Sequence, residues 1–408
     1  MLTKQTFRSL RYRNYRIYYI GQLISLNGTW MQAMAQSWLI YRLTGSGLML
    51  GLVGAMTLVP NLIFGIYGGW LADRFPRKKL LLIIHSLAML QAGLLAALTL
   101  SGLVEAWHIL ILAFVLGLVQ AVETPVRQSF LSQLVDKEDL PNAIALSSSL
   151  FHLSRFIGPA IAGILVAVTG EGIVFLINSV SFVAVLISLY KLQIPVISDQ
   201  DNQQRGLSNI WSGFHYARDH ELIRTLLMLV AALSVFAGAG MVLLPIFVVE
   251  VFGKGPESLG TFLGILGAGS LMAALVLAGR NDYRLLERRV ALAGIAVGIG
   301  LSMFSINSYY LLAYLILFVT GFASTTVYAS SNALIQLSVP DHLRGRVMAL
   351  FTICLHGMTS IGQMSLGSIA DVIGARQTLL ISAGMLFITS IYIAIKLHRV
   401  EQTEFGVK

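Results

Sequence analysis

A single cysteine, Cys354, stands in 408 residues. With no second thiol it forms no internal disulfide, and its place inside a long apolar run argues against thiol chemistry. Charge is also scarce. Asp, Glu, Lys and Arg make up 12% of the chain, about half of what a soluble protein needs to cover its surface. Metal-ligand clusters, a glycine-rich phosphate loop and any Ser, His and acid at nucleophile spacing are missing as well. These absences exclude a soluble domain and give no support to an enzyme, a metal site or a bound cofactor. What fills the chain is apolar: 56% of residues are hydrophobic and the mean hydropathy is +0.78.

The apolar residues come in runs of about 20, the length that crosses ~30 Å of hydrocarbon at ~1.5 Å per residue. Twelve such runs fall between residues 17 and 395, so the expected class is an all-α membrane protein of twelve transmembrane helices. The net charge of +9 follows this arrangement. With the N-terminus inside, only Arg42, Lys254 and Arg376 of the 28 Lys and Arg fall on the outer side. This is the positive-inside bias, so the basic charge sets topology and does not mark a nucleic-acid partner. Both termini are expected in the cytoplasm. The opening Arg8, Arg11, Arg13 and Arg16 precede a run too long, and too poor in small residues at its end, for a cleaved leader.

The chain also repeats itself. A shift of 204 residues aligns Phe114, Val115 and Gly117 with Phe318, Val319 and Gly321, and His152, Gly158, Gly163 and Gly170 with His356, Gly362, Gly367 and Gly374. A half-length repeat implies two pseudo-symmetric six-helix bundles from a duplicated unit. The expected division is 1–191, a linker at 192–220, and 221–408. Within the linker, Leu207, Ile210, Trp211, Phe214 and Ala217 fall at helical spacing and suggest a short interfacial helix.

Polar residues inside the spans are the candidate site, because lipid satisfies none of them. In the first span Gln22, Ser25, Thr29, Gln32 and Gln36 recur at three and four residues and form one stripe, with Asn27 and Trp30 beside it. Two readings stand: a wall of an aqueous passage that binds substrate, or hydrogen bonding to neighbouring helices. In the fourth span Gln120, Glu123 and Arg127 share a face. An unpaired charge at such depth costs at least ~2.5–3.5 kcal/mol. Glu123 is therefore either a proton-loading carboxylate or half of an internal pair with Arg127. The fifth span places His152, Arg155 and Pro159 on one face, followed by Gly158 and Gly163. In the second half Tyr328, His356 and Gln363 complete the substrate-binding candidates. His152 and His356 read equally as proton carriers and as hydrogen-bonding groups of the repeat. The lone His85 of the third span reads as a packing residue.

Between the second and third spans, Gly69-Trp70-Leu71-Ala72-Asp73-Arg74-Phe75-Pro76-Arg77-Lys78-Lys79 is a short basic turn that makes its two spans antiparallel neighbours. Its Gly-x-x-x-Asp-Arg-x-x-Arg-Lys pattern resembles the signature loop of the major facilitator superfamily, with Pro76 where that family usually has Gly. Arg155 to Gly163 resembles the superfamily's antiporter motif, without its first and final glycines. Asn27 to Gln32, Leu43 to Ser46, Pro125 to Ser129 and Asp139 to Ala143 resemble the bacterial branch that contains the enterobactin exporter and macrolide-efflux proteins. This resemblance implies a major facilitator fold in the bacterial cytoplasmic membrane. It implies proton-coupled export of an amphipathic small molecule, such as a siderophore or drug, by a monomer in the lipid bilayer. Uptake of a siderophore, lipid transfer, or a non-transporting sensor are the alternatives. It further implies gating roles for Asp73, Arg74, Arg77, Lys78, Gly158, Pro159 and Gly163, and proton coupling through Glu123, Arg127, Arg155 and His152. For Asp73 and Arg74 a solvated turn is the simpler reading.

Overall fold

The computed structural model describes residues 7–193, 210–278 and 286–405, all helix, turn or coil with no strand among them. A 3-10 turn, Arg8–Arg11, leads into α1 (Arg13–Thr44), α2 (Gly47–Arg74), α3 (Arg77–Leu100), α4 (Ala106–Leu131), α5 (Leu140–Thr169) and α6 (Glu171–Lys191). A short α7 (Ile210–Asp219) precedes α8 (Glu221–Val251), α9 (Pro256–Ala278), α10 (Leu286–Ile306), α11 (Tyr310–Ser338), α12 (Asp341–Ile373) and α13 (Ala375–Phe405). Among the described residues 11 helices are long and apolar enough to cross a membrane. The one long helix outside that set is α1, at 32 residues, whose polar stripe dilutes its hydropathy. α2 runs past the expected end of its span, so Asp73 and Arg74 belong to its last turn, and Pro76 sits just ahead of α3. Within the linker, Ile210–Asp219 is helical; Leu207, with which the expected pattern opens, and the turn 279–285 lie outside the described residues.

The repeat is visible in the helix ends. α4 and α11 start 204 residues apart, as do α6 and α13, and α5 and α12 end at the equivalent Thr169 and Ile373. Both of the latter stop at a glycine in the left-handed region, Gly170 at φ 82° and Gly374 at φ 88°, where a side chain would be strained.

The described chain forms two compact units: Met1–Thr44 with Met56–Gln204 and Gly255–Gly264, and Gly45–Ala55 with Arg205–Lys254 and Ile265–Lys408. In the first unit, α1 packs on α5 and α6, and α3 packs on α4 and α6, around Tyr15, Leu81, Phe130 and Val185. Between helices in lipid there is no hydrophobic drive, so association depends on close backbone approach at small residues. Gly117 of α4 lies against Thr57 and Met56 of α2: a Cβ there would stand 2.6 Å from the Thr57 carbonyl oxygen. Gly158 of α5 lies against Asn27 and Trp30 of α1. A polar clamp closes the basic end of this unit. Asp139, only 4% exposed at its side chain, holds Arg8 at 2.8 Å and Arg11 at 2.7 Å, and accepts the Tyr12 hydroxyl at 2.8 Å. Its burial is tolerable because each oxygen has a cationic partner. The Tyr12 hydroxyl and the Asp139 charge in turn raise the Arg11 guanidinium above its ordinary pKa.

The second unit repeats the glycine contacts. Gly321 lies against Leu266 and Gly362 against Val235, the repeat counterparts of the Gly117 and Gly158 contacts. Here α10 packs on α11 and α13. The first turn of α2 is anchored by Asp371 of α12, which accepts the Gly47 N–H at 2.5 Å, the Leu48 N–H at 3.1 Å and the Ser46 hydroxyl at 2.7 Å. A carboxylate there satisfies the unpaired donors of a helix start.

Gly117→Val is expected to abolish a monodisperse size-exclusion peak, because its Cβ would meet the α2 backbone. Gly69→Ala, with nothing within 4 Å of the new Cβ, is expected to leave the peak and the melting temperature unchanged.

Candidate functional site

The α1 stripe divides between two environments. Gln32, 1% exposed, donates to Gln91 Oε1 of α3 at 3.0 Å and accepts from Asn178 Nδ2 of α6 at 2.7 Å. Gln91 goes on to donate to the Leu112 carbonyl of α4 at 3.1 Å. This chain ties α1, α3, α4 and α6 together, so of the two readings of the stripe Gln32 takes the hydrogen bonding to neighbouring helices. Ser25 and Gln36 are buried with it, and Thr29 returns its hydroxyl to the Ser25 carbonyl at 3.1 Å. Gln22, lower on the same face, has a different setting. Its Nε2 donates to the Tyr18 hydroxyl at 2.9 Å and lies 3.4 Å from His85 Nε2.

Beside Gln22 is a cavity of about 20 Å³ between Tyr15, Tyr18, Tyr19, Gln22, Arg127 and Ser147. That is room for one water, and the lining offers it several polar partners. Arg127 also reaches Glu123, Nε to Oε1 at 3.5 Å, with 28% and 24% of the two side chains exposed. The pairing of Glu123 with Arg127 along the helix is therefore present, long at 3.5 Å and only partly buried. Gln120, one turn away, is half-buried.

On the seam of α1 and α5, the Arg155 guanidinium lies 5.6 Å from the centre of the Trp30 ring, and Trp30 meets Phe151 edge-on at 5.4 Å. Asn27 gives Nδ2 to the Leu23 carbonyl and to the Ser154 hydroxyl. Asn27 Oδ1 and His152 Nδ1 are buried with no hydrogen-bond partner among the described residues. Unmet buried polar atoms are uncommon in native folds, and two beside a cation and two aromatic rings mark a surface suited to a ligand. The glycines of this helix do other work. Gly163 backs onto Pro256 and Gly260, and Gly260 onto the Pro159 carbonyl.

In the second unit Tyr328 is 3.4 Å from the Ser234 hydroxyl. His356 lies in a π-helical turn, Ile353–Gly357, whereas the equivalent His152 lies in regular helix. The wider turn re-aims the side chains around it, and such turns recur at functional sites. Period-counting along the sequence has no means of locating one. Gln363 faces Gly54 of α2, and its Oε1 is buried without a partner among the described residues.

The basic turn distributes its residues as follows. Asp73 and Arg74 are exposed, with Arg74 over the Trp70 ring at 4.6 Å, and Arg77 is half-buried. Lys78 Nζ donates to the Leu192 carbonyl at 2.7 Å and the Tyr190 carbonyl at 3.3 Å. It thus caps the C-terminal end of α6, where a cation is favoured.

A family model described as "Transmembrane secretion effector" matches residues 4–406. The staphyloferrin A transporter of Staphylococcus aureus is 27% identical over 368 residues, covering 89% of this chain and 91% of its own. The multidrug efflux pump Tap of Mycolicibacterium fortuitum is 23% identical over 391 residues, covering 93% and 95%. Macrolide efflux protein A of Streptococcus pyogenes is 23% identical over 393 residues, covering 93% and 96%. Among solved structures, a bacterial homologue of the human lysosomal transporter Spinster, inward-facing and unoccupied, superposes with a TM-score of 0.73 at 13% identity, over 95% of this chain and 97% of that one. An inward-facing bacterial homologue of the iron transporter ferroportin gives 0.69 at 16% identity, over 95% and 98%.

Replacing Gln32 by Leu strands Gln91 and Asn178. Leaving two buried amides unmet costs ~1–3 kcal/mol each, so the variant is expected to melt a few degrees lower. Thr29→Val, which loses only a bond to its own helix, is expected to melt within a degree of the parent in the same thermal-shift measurement.

Proposed function

The chain belongs to the transmembrane secretion effector family of major facilitator transporters, and on that premise we propose that it exports an amphipathic small molecule, a drug or siderophore, in exchange for protons. The membrane is the bacterial cytoplasmic membrane, with both termini inside, and the protein acts as a monomer. Residues 1–191 and 221–408, joined by 192–220, serve as the two halves that open the passage to one side at a time. Relatives described as a multidrug efflux pump and a macrolide efflux protein support the direction and the breadth of substrate.

The observation that carries the coupling reading is the loose Glu123–Arg127 pair. Exchange requires that a loaded proton and a bound substrate exclude one another. A half-open carboxylate that is either protonated or charged is the kind of group that enforces this. Substrate contact falls to the α1/α5 seam, where Trp30, Phe151 and Arg155 offer flat apolar and cationic surface, and Asn27 and His152 have polar atoms to satisfy. In the second half Tyr328, His356 and Gln363 have the corresponding role. Asp73, Arg74 and Arg77 bias the cycle at the basic turn. Pro159 and Gly163 do so where α5 meets α9 and Gly158 where it meets α1, and Lys78 fixes the frame by holding α6.

In everted vesicles under an imposed proton gradient, Glu123→Gln is expected to lower accumulation of ethidium at least tenfold, with normal membrane abundance of the variant. Unchanged accumulation would remove Glu123 from the mechanism. Ethidium uptake by right-side-out vesicles alone would reverse the direction.

A further inference from the structure

α2 belongs to both compact units. Its first turns, within Gly45–Ala55, cluster with the second unit, and from Met56 onward it belongs to the first. The change falls beside Pro60, which lacks the N–H that would bond to the Met56 carbonyl. The helix therefore has its weak point where it passes from one unit to the other.

Within the second unit those first turns lie along α12. Gly47, Gly51 and Gly54, four and three residues apart, share one face of α2. Gly47 backs onto Gly367, Gly51 onto the Gln363 carbonyl, and Gly54 onto the Gln363 side chain. At that end of the seam Gln363 Oε1 is buried with no partner among the described residues. The other end is wet. There the exposed Asp371 accepts two N–H groups and the Ser46 hydroxyl from the start of α2. Beside it a cavity of about 250 Å³ is lined by Ser46, Ile246, Glu250, Ala370 and Asp371, room for several waters. Closing the seam gains charge-assisted bonds at one end and leaves an acceptor unmet at the other. When α2 lifts, cavity water takes over the bonds to Asp371, so the two states are close in free energy.

The equivalent seam of the first unit has no such carboxylate. Gly163 of α5, the repeat counterpart of Gly367, backs onto Pro256 and Gly260 of α9, and Ala167 stands where the second half has Asp371. α9 opens on Pro256, which has no N–H to offer, and its own Glu257 accepts the Gly255 N–H. Backbone contact alone holds a helix start in this scaffold, so packing does not require Asp371.

We propose that Asp371 is a positioning residue for transport: it latches the first turns of α2 onto α12, and its release lets them swing about Pro60 and open the seam to the outer side. The latch stands on the hydrogen bonds and the seam. Its part in transport rests on the alternating opening given under the proposed function.

The test uses the full-length protein in right-side-out vesicles, with Cys354→Ser removing the single cysteine. Gln363→Cys, about two turns from Asp371, reports the seam to a membrane-impermeant maleimide added outside. Labelling is expected to be slow, and to quicken at least fivefold with Asp371→Ala. It should quicken less with Asp371→Asn, which keeps one acceptor and serves alone if the first variant does not fold. Ala96→Cys, buried in the first unit, is expected to label at one rate throughout. An unchanged rate at Gln363→Cys would overturn the proposal, and so would an equal rise at Ala96→Cys, the sign of general loosening. A second measurement asks whether the latch must part during the cycle. In Ser46→Cys/Asp371→Cys, oxidation to the disulfide is expected to stop ethidium accumulation in everted vesicles, read against the reduced form, and dithiothreitol to restore it. A disulfide that leaves accumulation unchanged would overturn the role in transport. Labelling needs no transport, so a parent that moves no ethidium would defeat the export reading while the latch is still decided.

Discussion

Helices already surrounded by lipid gain nothing by hiding apolar surface from water, so this fold depends on where backbone can come close to backbone. The decisive contacts are made by glycines and recur in both repeats. Gly117 meets α2 and Gly321 meets α9; Gly158 meets α1 and Gly362 meets α8. Dispersion between atoms at contact distance is individually small and collectively large, and it is available here only because no side chain intervenes. The duplicated unit kept these positions while its polar residues diverged. Pro159 has Gln363 as its counterpart, and Glu123 and Arg127 have Val327 and Ser331.

The same solvent sets the rule for polar groups. A buried amide or hydroxyl must be answered within the protein, and here the answers differ in completeness. Gln32 has a partner for each amide atom and holds α1 to α3 and α6. Asp139 has two arginines and a tyrosine, and fixes the start of the chain to the α4–α5 turn. Asn27, His152 and Gln363 each keep one buried atom unmet among the described residues. Complete satisfaction rigidifies a bundle, whereas an incomplete set leaves something for a ligand or water to supply. Both kinds occur within a few turns of each other on α1, and the residue types alone do not tell them apart.

A loose charge pair in a half-open setting is a third kind of arrangement. Glu123 and Arg127 are near enough to feel each other and too far apart to be locked. Tyr18, Gln22 and Arg127 line one small cavity together, so the pair has polar neighbours as well as each other.

The sequence by itself determined the class, the approximate number of spans, the half-length repeat and the charges placed in the interior. Each of these follows from local composition: hydrocarbon thickness fixes span length, and charge is too costly in lipid to be there by accident. It also suggested a short helix in the linker and paired Gly170 with Gly374. Partners were decided only by the tertiary structure. Gln32 with Asn178 is a contact across 146 residues, and Arg11 with Asp139 one across 128. His85 meets Gln22 across 63 residues, and the π-turn that carries His356 leaves no trace in helical periodicity. A polar side chain in a span has the same spacing whether it meets a neighbour, a water or a ligand; what it meets depends on how the helices are rotated and packed, which no one-dimensional pattern encodes.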